Sequence, residues 1–202
     1  MSGSKPTIYL LYGDDHLAVG EIIDTLRERI GDSSVADMNS ARFSAQNLDL
    51  PEFETICSTM PFLAERRMII LEDAEYITRK TPWLEKFLDI LEACPEQTAV
   101  VIHVFVDTSE RRSLDNFQKR SPIFRWVQEH PETSWSRACL IPQKRAFDQW
   151  IAQRARTYGG DMESAAAHLL AEMTEGDPLL ADLEILKLLD YADYSRPVTA
   201  VD

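Results

Sequence analysis

"IYLLYGDDHLAVGEII", residues 8–23, decides how the rest of the chain is read. Residues 7–12 form a continuous β-prone apolar run, the mark of a strand buried on both faces, and Gly13 ends it. Asp14 or Asp15 can cap the helix that comes next. Val19, Ile22, Ile23, Leu26 and Ile30 fall at helical spacing, and Gly31 stops the helix. A buried strand that turns at once into an amphipathic helix is the opening step of an α/β sheet.

Outward from that step the alternation continues. Strands are expected at residues 36–43, 68–71, 99–106 and 137–141. Helices are expected at 50–59, from Pro82 through Leu91, and at 123–129. Residues 99–106 are apolar on both faces, as in a parallel sheet covered by helices. The charged stretch 111–120 reads as a surface loop. After Pro142 the period changes. Phe147, Trp150, Ile151 and Tyr158 mark one helix, ended by Gly159 and Gly160. Ala165, Ala166, Leu169, Leu170 and Met173 mark a second, and Leu179, Leu183, Leu186 and Leu189 a third. The expected organisation is an α/β domain at 1–142 and a small all-helical domain at 143–202.

The 202 residues carry 21 Lys and Arg against 34 Asp and Glu, a formal charge of −13. Such a chain repels polyanions, so DNA contact is expected to be indirect or weak. Cys57, Cys94 and Cys139 are odd in number, far apart and without a CxxC spacing, which reads as free thiols in a reducing compartment. Residues 1–6 are a small, polar start with no apolar signal core, and no apolar run reaches membrane-spanning length. The cytoplasm is the expected location.

An α/β unit beside a helical one raises the prospect of an ATPase, with a phosphate loop between the first strand and helix. A phosphate loop needs four residues between its glycines, then Lys and Ser or Thr. Here six residues separate Gly13 from Gly20, two of them Asp, and Glu21 and Ile22 come after. Carboxylates repel a triphosphate, and no Lys offsets them. Glu72 and Asp73, after an apolar run, resemble an Mg²⁺-holding acidic pair but read better as a solvated turn. His16, His103, His130 and His168 lack metal-ligand spacing, and His103 reads as a core residue. There is no GxSxG. Arg111, Arg112, Lys119 and Arg120 read as a solvated basic cluster. No catalytic site, cofactor or metal is expected.

One segment resists a simple reading. Met60, Pro61, Phe62 and Leu63 form an apolar knot that runs straight into Glu65, Arg66 and Arg67 before the strand at 68–71. In one reading Phe62 and Leu63 cap the sheet edge as core. In the other they are an exposed anchor for a partner, stiffened by Pro61 and rimmed by Glu65, Arg66 and Arg67.

Four stretches together resemble the delta subunit of the bacterial DNA polymerase III clamp loader: "IYLLYGDDHLAVGEII", "TMPFLAERRMIIL", "FDQWIAQRARTYGGDMESAAAHLL" and "GDPLLADLEILKLLDY". In the last, Asp177, Leu183, Glu184, Lys187, Leu188 and Tyr191 carry the pattern. Leu186 departs from a position that is often acidic, and His16 from one usually acidic or neutral. The resemblance implies an AAA+-like parallel sheet with flanking helices, then a small helical domain, and no working nucleotide site. It implies a part in DNA replication: binding the ring-shaped sliding clamp through an apolar plug and favouring its open form. Carried over by position, the plug is Phe62 and Leu63, supported by Met60 and Pro61, with Arg66 and Arg67 beside it. Other clamp-loader subunits are implied partners of the full-length protein. The family's third, collar domain is expected to be missing from these 202 residues, which are then not expected to enter a loader ring. Two alternatives stand beside this one: an ATPase of the same fold class, and an interaction scaffold for another partner.

Overall fold

The structure is a computed structural model that describes residues 5–78, 81–109 and 112–202. The first four residues of the polar start and Arg111 of the basic cluster lie outside the described residues. The described chain divides into two compact units. One is built from the residues up to Asp14 and from Ala18–Cys139, the other from Leu140–Asp202 with Asp15–Leu17.

The first unit is an α/β sheet. Its elements run β1 (Ile8–Gly13), α1 (His16–Glu28), α2 (Ser33–Met38), β2 (Ser40–Ser44), α3 (Leu50–Ser58), β3 (Arg67–Glu72), α4 (Glu75–Thr78), α5 (Thr81–Glu92), β4 (Thr98–Phe105), α6 (Ser113–Arg120), α7 (Pro122–Glu129) and β5 (Ser134–Cys139). The five strands lie in the order β2-β3-β4-β1-β5, every pair parallel. Strand periodicity sends alternate residues to opposite faces. Ile8, Leu10, Ile69, Leu71, Val100 and Ile102 pack with Phe53 of α3, Phe87 of α5 and Ile123 of α7. Tyr9, Leu11, Met68, Ile70 and Val101 pack with Val19 and Ile23 of α1. Burial on both faces is why β1, β3 and β4 read as unbroken apolar runs.

Three expectations for this unit are corrected. Residues 33–38 are a helix, and the strand begins only at Ser40. Asp32 is the cause: its carboxylate accepts a hydrogen bond from Val35 N at 3.0 Å and starts α2. The expected loop at 111–120 contains α6. Leu114 and Phe117, one helical turn apart, pack on the core, and Phe117 lies 5.1 Å from the Tyr12 ring. The last strand starts at Ser134 rather than Arg137, its buried Ser134 hydroxyl donating to Val127 O and His130 O.

The second unit contains α8 (Arg145–Thr157), α9 (Ser164–Met173) and α10 (Pro178–Tyr191). Asp177 caps α10 by accepting from Leu179 N and Leu180 N. The core face of α10 is Ala181, Ile185 and Leu189; of the expected line Leu179, Leu183, Leu186 and Leu189, Leu189 lies on it and the other three do not. Leu179 and Leu183 are exposed. Asp182, on the inward side, accepts from Arg154 Nε at 2.5 Å and from the Tyr158 hydroxyl at 2.7 Å, and this fixes the helix rotation. In α9 the buried residues are Ala166, Ala167 and Leu170, while Leu169 and Met173 are exposed. After α10 the chain returns: Val198 is buried and pairs with Met162.

Gly160 sits against this core. A Cβ there would lie 2.3 Å from Leu189 Cδ2, and Leu189 is fully buried. Gly160→Ala is expected to destabilise the second unit by about 1–3 kcal/mol through overpacking, read by chemical denaturation. A change within about 0.5 kcal/mol would show that Leu189 has room to turn away.

Candidate protein-docking site

Helix α3 ends at Ser58, and Thr59 leaves it in extended conformation, donating its hydroxyl to Thr55 O at 2.8 Å. The next residues expose their apolar side chains. Met60 is 72% exposed, Phe62 56% and Leu63 77%; Pro61 and Ala64 are half-buried and Glu65 is exposed. None of the three large side chains is core.

The backbone beneath them is held firmly. Asn39, 1% exposed, grips Phe62 through its carboxamide: Phe62 N donates to Asn39 Oδ1 at 2.7 Å, and Asn39 Nδ2 donates to Phe62 O at 2.7 Å. The same Nδ2 also donates to Val35 O at 2.8 Å, and Met68 N donates to the Asn39 carbonyl at 2.8 Å. A side-chain amide thus pairs with Phe62 as a neighbouring strand would. Leu63 comes next at φ 53°, a left-handed conformation unusual for leucine, which the Phe62 clamp on one side and the start of β3 on the other impose.

The two arginines serve the same segment from within. Arg67 is the first residue of β3 and is buried; its Nη1 donates to Thr59 O at 3.2 Å, and burial lowers the guanidinium pKa from its ordinary value. Arg66 is half-buried, and its Nη2 donates to Pro6 O at 2.8 Å and Thr98 O at 3.3 Å. Of the expected charged rim only Glu65 stands exposed. Asn39 is the member that sequence reasoning passed over. A lone asparagine between a helix and a strand carries no spacing signal, and only the fold brings it to residue 62.

The loop after β1 is built differently from a phosphate cradle. Gly13 has φ 142°, α1 starts at His16, and Gly20 lies inside that helix rather than in a loop. Only Asp14 and Asp15 separate strand from helix, and the Asp14 carboxylate accepts a hydrogen bond from the Thr108 hydroxyl. At the acidic pair, Glu72 is bonded to Arg42, and Asp73 accepts from Ser44 Oγ at 2.9 Å and Gln46 Nε2 at 3.2 Å. Among the described residues no cluster of three or more His, Cys, Asp or Glu could hold a metal ion, and no helix is long and apolar enough to cross a membrane.

The strand order β2-β3-β4-β1-β5, with helices packed on both faces, makes an AAA+-like parallel α/β unit in which Asp14 and Asp15 form the turn after β1. The family described as "DNA polymerase III, delta subunit" matches residues 9–126, and the chain belongs to that family. It is 24% identical over 134 residues to DNA polymerase III subunit delta of Bacillus subtilis (strain 168), covering 63% of this chain and 39% of that protein. Among solved structures it is similar to the Bacillus subtilis DNA clamp loader delta protein, with TM-score 0.69 and 18% identity, over 96% of this chain and 56% of that one. A DNA polymerase III gamma subunit-related protein of Thermotoga maritima matches with TM-score 0.54 and 17% identity, over 92% and 54%. The Thermotoga maritima RuvB Holliday junction branch migration motor matches with TM-score 0.51 and 12% identity, over 96% and 58%. At these identities the structural likeness speaks for the fold alone. The chain spans less than two thirds of the length of each of these relatives.

Two outcomes are expected. Asn39→Leu leaves the Phe62 amide and carbonyl without their partner, costing about 1–3 kcal/mol in stability and speeding amide exchange at Phe62. Unchanged protection at Phe62 would count against the clamp. Calorimetry with Mg-ATP should show no saturable heat, because the turn after β1 offers carboxylates and no lysine; micromolar binding would overturn that.

Proposed function

We propose that this chain acts in DNA replication as a clamp-loader delta subunit that binds the ring-shaped sliding clamp through Met60, Pro61, Phe62 and Leu63. The observation that carries the reading is the pairing of exposure with rigidity: Phe62 and Leu63 project into solvent from a backbone fixed by Asn39. An apolar anchor that is already ordered loses little conformational entropy on docking. Membership of the DNA polymerase III delta family supports a partner within the replication machinery. In this reading Phe62 and Leu63 enter an apolar pocket of the clamp, Met60 and Pro61 flank them, and Arg66 and Arg67 act by holding the segment in place. The chain favours the open ring by the difference between its affinities for open and closed forms, and by nothing else. It works in the cytoplasm, with other loader subunits as partners. It does so without nucleotide of its own, consistent with the closed turn after β1.

Truncating an aromatic anchor at a hot spot costs about 2–4 kcal/mol, and each 1.4 kcal/mol is about tenfold in affinity. Phe62→Ala with Leu63→Ala is therefore expected to weaken clamp binding by at least about a hundredfold. Unfolding stability should move by less than about 1 kcal/mol, since neither side chain is core. Titration of both proteins against purified clamp, with denaturation curves on the same samples, decides it. Equal binding by the double variant and the parent would sink the proposal, and binding to neither would leave the scaffold reading in its place.

A further inference from the structure

The strand starts carry a second exposed feature, at the β5 end of the sheet. Side chains alternate along a strand, so residues 135, 137 and 139 of β5 share one face. The register sets Trp135 beside Tyr9 and Arg137 beside Leu11, which makes this the face that α1 covers. The cover is partial. Cys139 is buried, whereas Trp135 is 39% exposed and Arg137 stands in solvent. Between α1 and the start of β5 this leaves a groove of about 410 Å³.

The groove has an aromatic wall and a basic rim. Trp135 meets Tyr9 edge to face, with ring centroids 6.0 Å apart and an interplanar angle of 64°. Ile22 and Leu26 of α1 line the other side, and Arg29 and Arg137 both open onto the space. Among the described residues neither guanidinium has an ion-pair or hydrogen-bond partner. The nearest carboxylates of α1 point elsewhere: Asp24 and Glu28 line a separate hollow with Arg27 and Gly31. Helical spacing is the reason, since residues 22, 26 and 29 share one face and 24 and 28 lie on another. A chain of charge −13 thus keeps two cations and an exposed indole together, apart from the acids of the same helix.

Tryptophan and arginine are the residue types that dominate binding energy at protein interfaces, and a guanidinium pairs a carboxylate through two parallel bonds. A long polyanion fits poorly here. It would run past Asp24 and Glu28 on one flank and the exposed Glu132 just before β5, against the net charge of the chain. A short segment with one or two carboxylates meets the groove alone. The groove also adjoins the docking segment: Pro6 lines it, and Pro6 O accepts from Arg66 Nη2 at 2.8 Å. Three strand spacings, about 14 Å, separate β3 from β5. Both features therefore fall within the patch of about 800 Å² that an interface covers on each partner. We infer that the groove takes a short acidic segment bearing an apolar side chain, on the same partner that receives Phe62 and Leu63. Trp135 packs against the apolar side chain, and Arg29 and Arg137 bind the carboxylates. The inference rests on the clamp-binding reading, because the two surfaces share one partner.

The test titrates the 202-residue chain against purified sliding clamp at low and at physiological ionic strength, beside Arg29→Glu with Arg137→Glu, Trp135→Ala, and Phe62→Ala with Leu63→Ala. Both arginines are exposed, so the charge-reversed chain should keep its circular dichroism and thermal midpoint. It is expected to bind clamp at least about tenfold more weakly, chiefly through slower association, and to lose the salt dependence that the parent shows. Trp135→Ala should weaken binding by about tenfold or more through faster dissociation. The Phe62 and Leu63 variant should lose affinity while keeping the salt dependence. Charge-reversed protein that binds like the parent, while the Phe62 and Leu63 variant binds weakly, would overturn the groove and leave the docking segment standing. A parent chain that does not bind clamp would overturn both. Saturable binding of a thymidine 20-mer that charge reversal abolishes would make the groove a nucleic-acid site and overturn the acidic segment as its occupant.

Discussion

Every strand of the sheet runs the same way, and that constraint separates the molecule's two kinds of chemistry. A parallel sheet gathers all its strand starts at one edge and all its strand ends at the other. In open α/β sheets ligands bind at the carboxyl ends. Here that edge holds Gly13, Asp14 and Asp73, and their turns are filled by the chain's own hydrogen bonds. The opposite edge holds Asn39 just before β2, Arg67 at the start of β3 and Thr98 at the start of β4, with Arg67 directly opposite Thr98 in register. These are the groups that hold residues 59–66. The exposed apolar segment is therefore attached to three adjacent strand starts, at the far edge from the turn where a nucleotide would sit.

That attachment explains how an apolar segment stays exposed without collapsing onto the sheet. A free loop carrying Met, Phe and Leu would bury them wherever it could, at about 25 cal/mol for each Å² covered. The segment is prevented from doing so by its backbone rather than its side chains. Phe62 is held at both its N–H and its C=O, Thr59 O is taken by Arg67, and Leu63 is forced into a left-handed turn. With the main-chain polar groups at Phe62 already paired, the side chains above it are the part left with unmet contacts. A surface of that kind gains from docking a partner and loses little order in doing so.

Only interactions with a period leave a trace in the sequence. Strands β1, β3 and β4 were legible because burial on both faces writes itself as an unbroken apolar run. The helix α6 was not, since six polar residues surround its two inward ones, Leu114 and Phe117. The leucine-rich α10 failed for the opposite reason: with leucines on every side, period alone cannot choose a face, and Asp182 bonded to Arg154 and Tyr158 makes the choice. At residues 60–63 the apolar knot was visible, but whether it was core or surface turned on Asn39, which is 23 residues away from Phe62 in sequence. Arg66 and Arg67 were misplaced as rim because charge suggests solvent. A guanidinium with carbonyl acceptors within reach can instead lie inside the fold.

The arginines join the exposed segment to the end of α3. Arg66 donates to Thr98 O, and Thr98 donates to Cys57 O in the last turn of α3. Arg67, one residue on, donates to Thr59, the residue that opens the exposed segment. The exposed segment and the end of α3 therefore share a support made of two guanidinium groups and one threonine hydroxyl. Replacing Arg66 by lysine would remove a guanidinium that bonds two carbonyls while keeping the charge, because lysine cannot reproduce the planar fork. What these residues supply is directed donors: Arg67 fixes Thr59 at the start of the exposed segment, and Arg66 fixes its far end to Pro6 and Thr98.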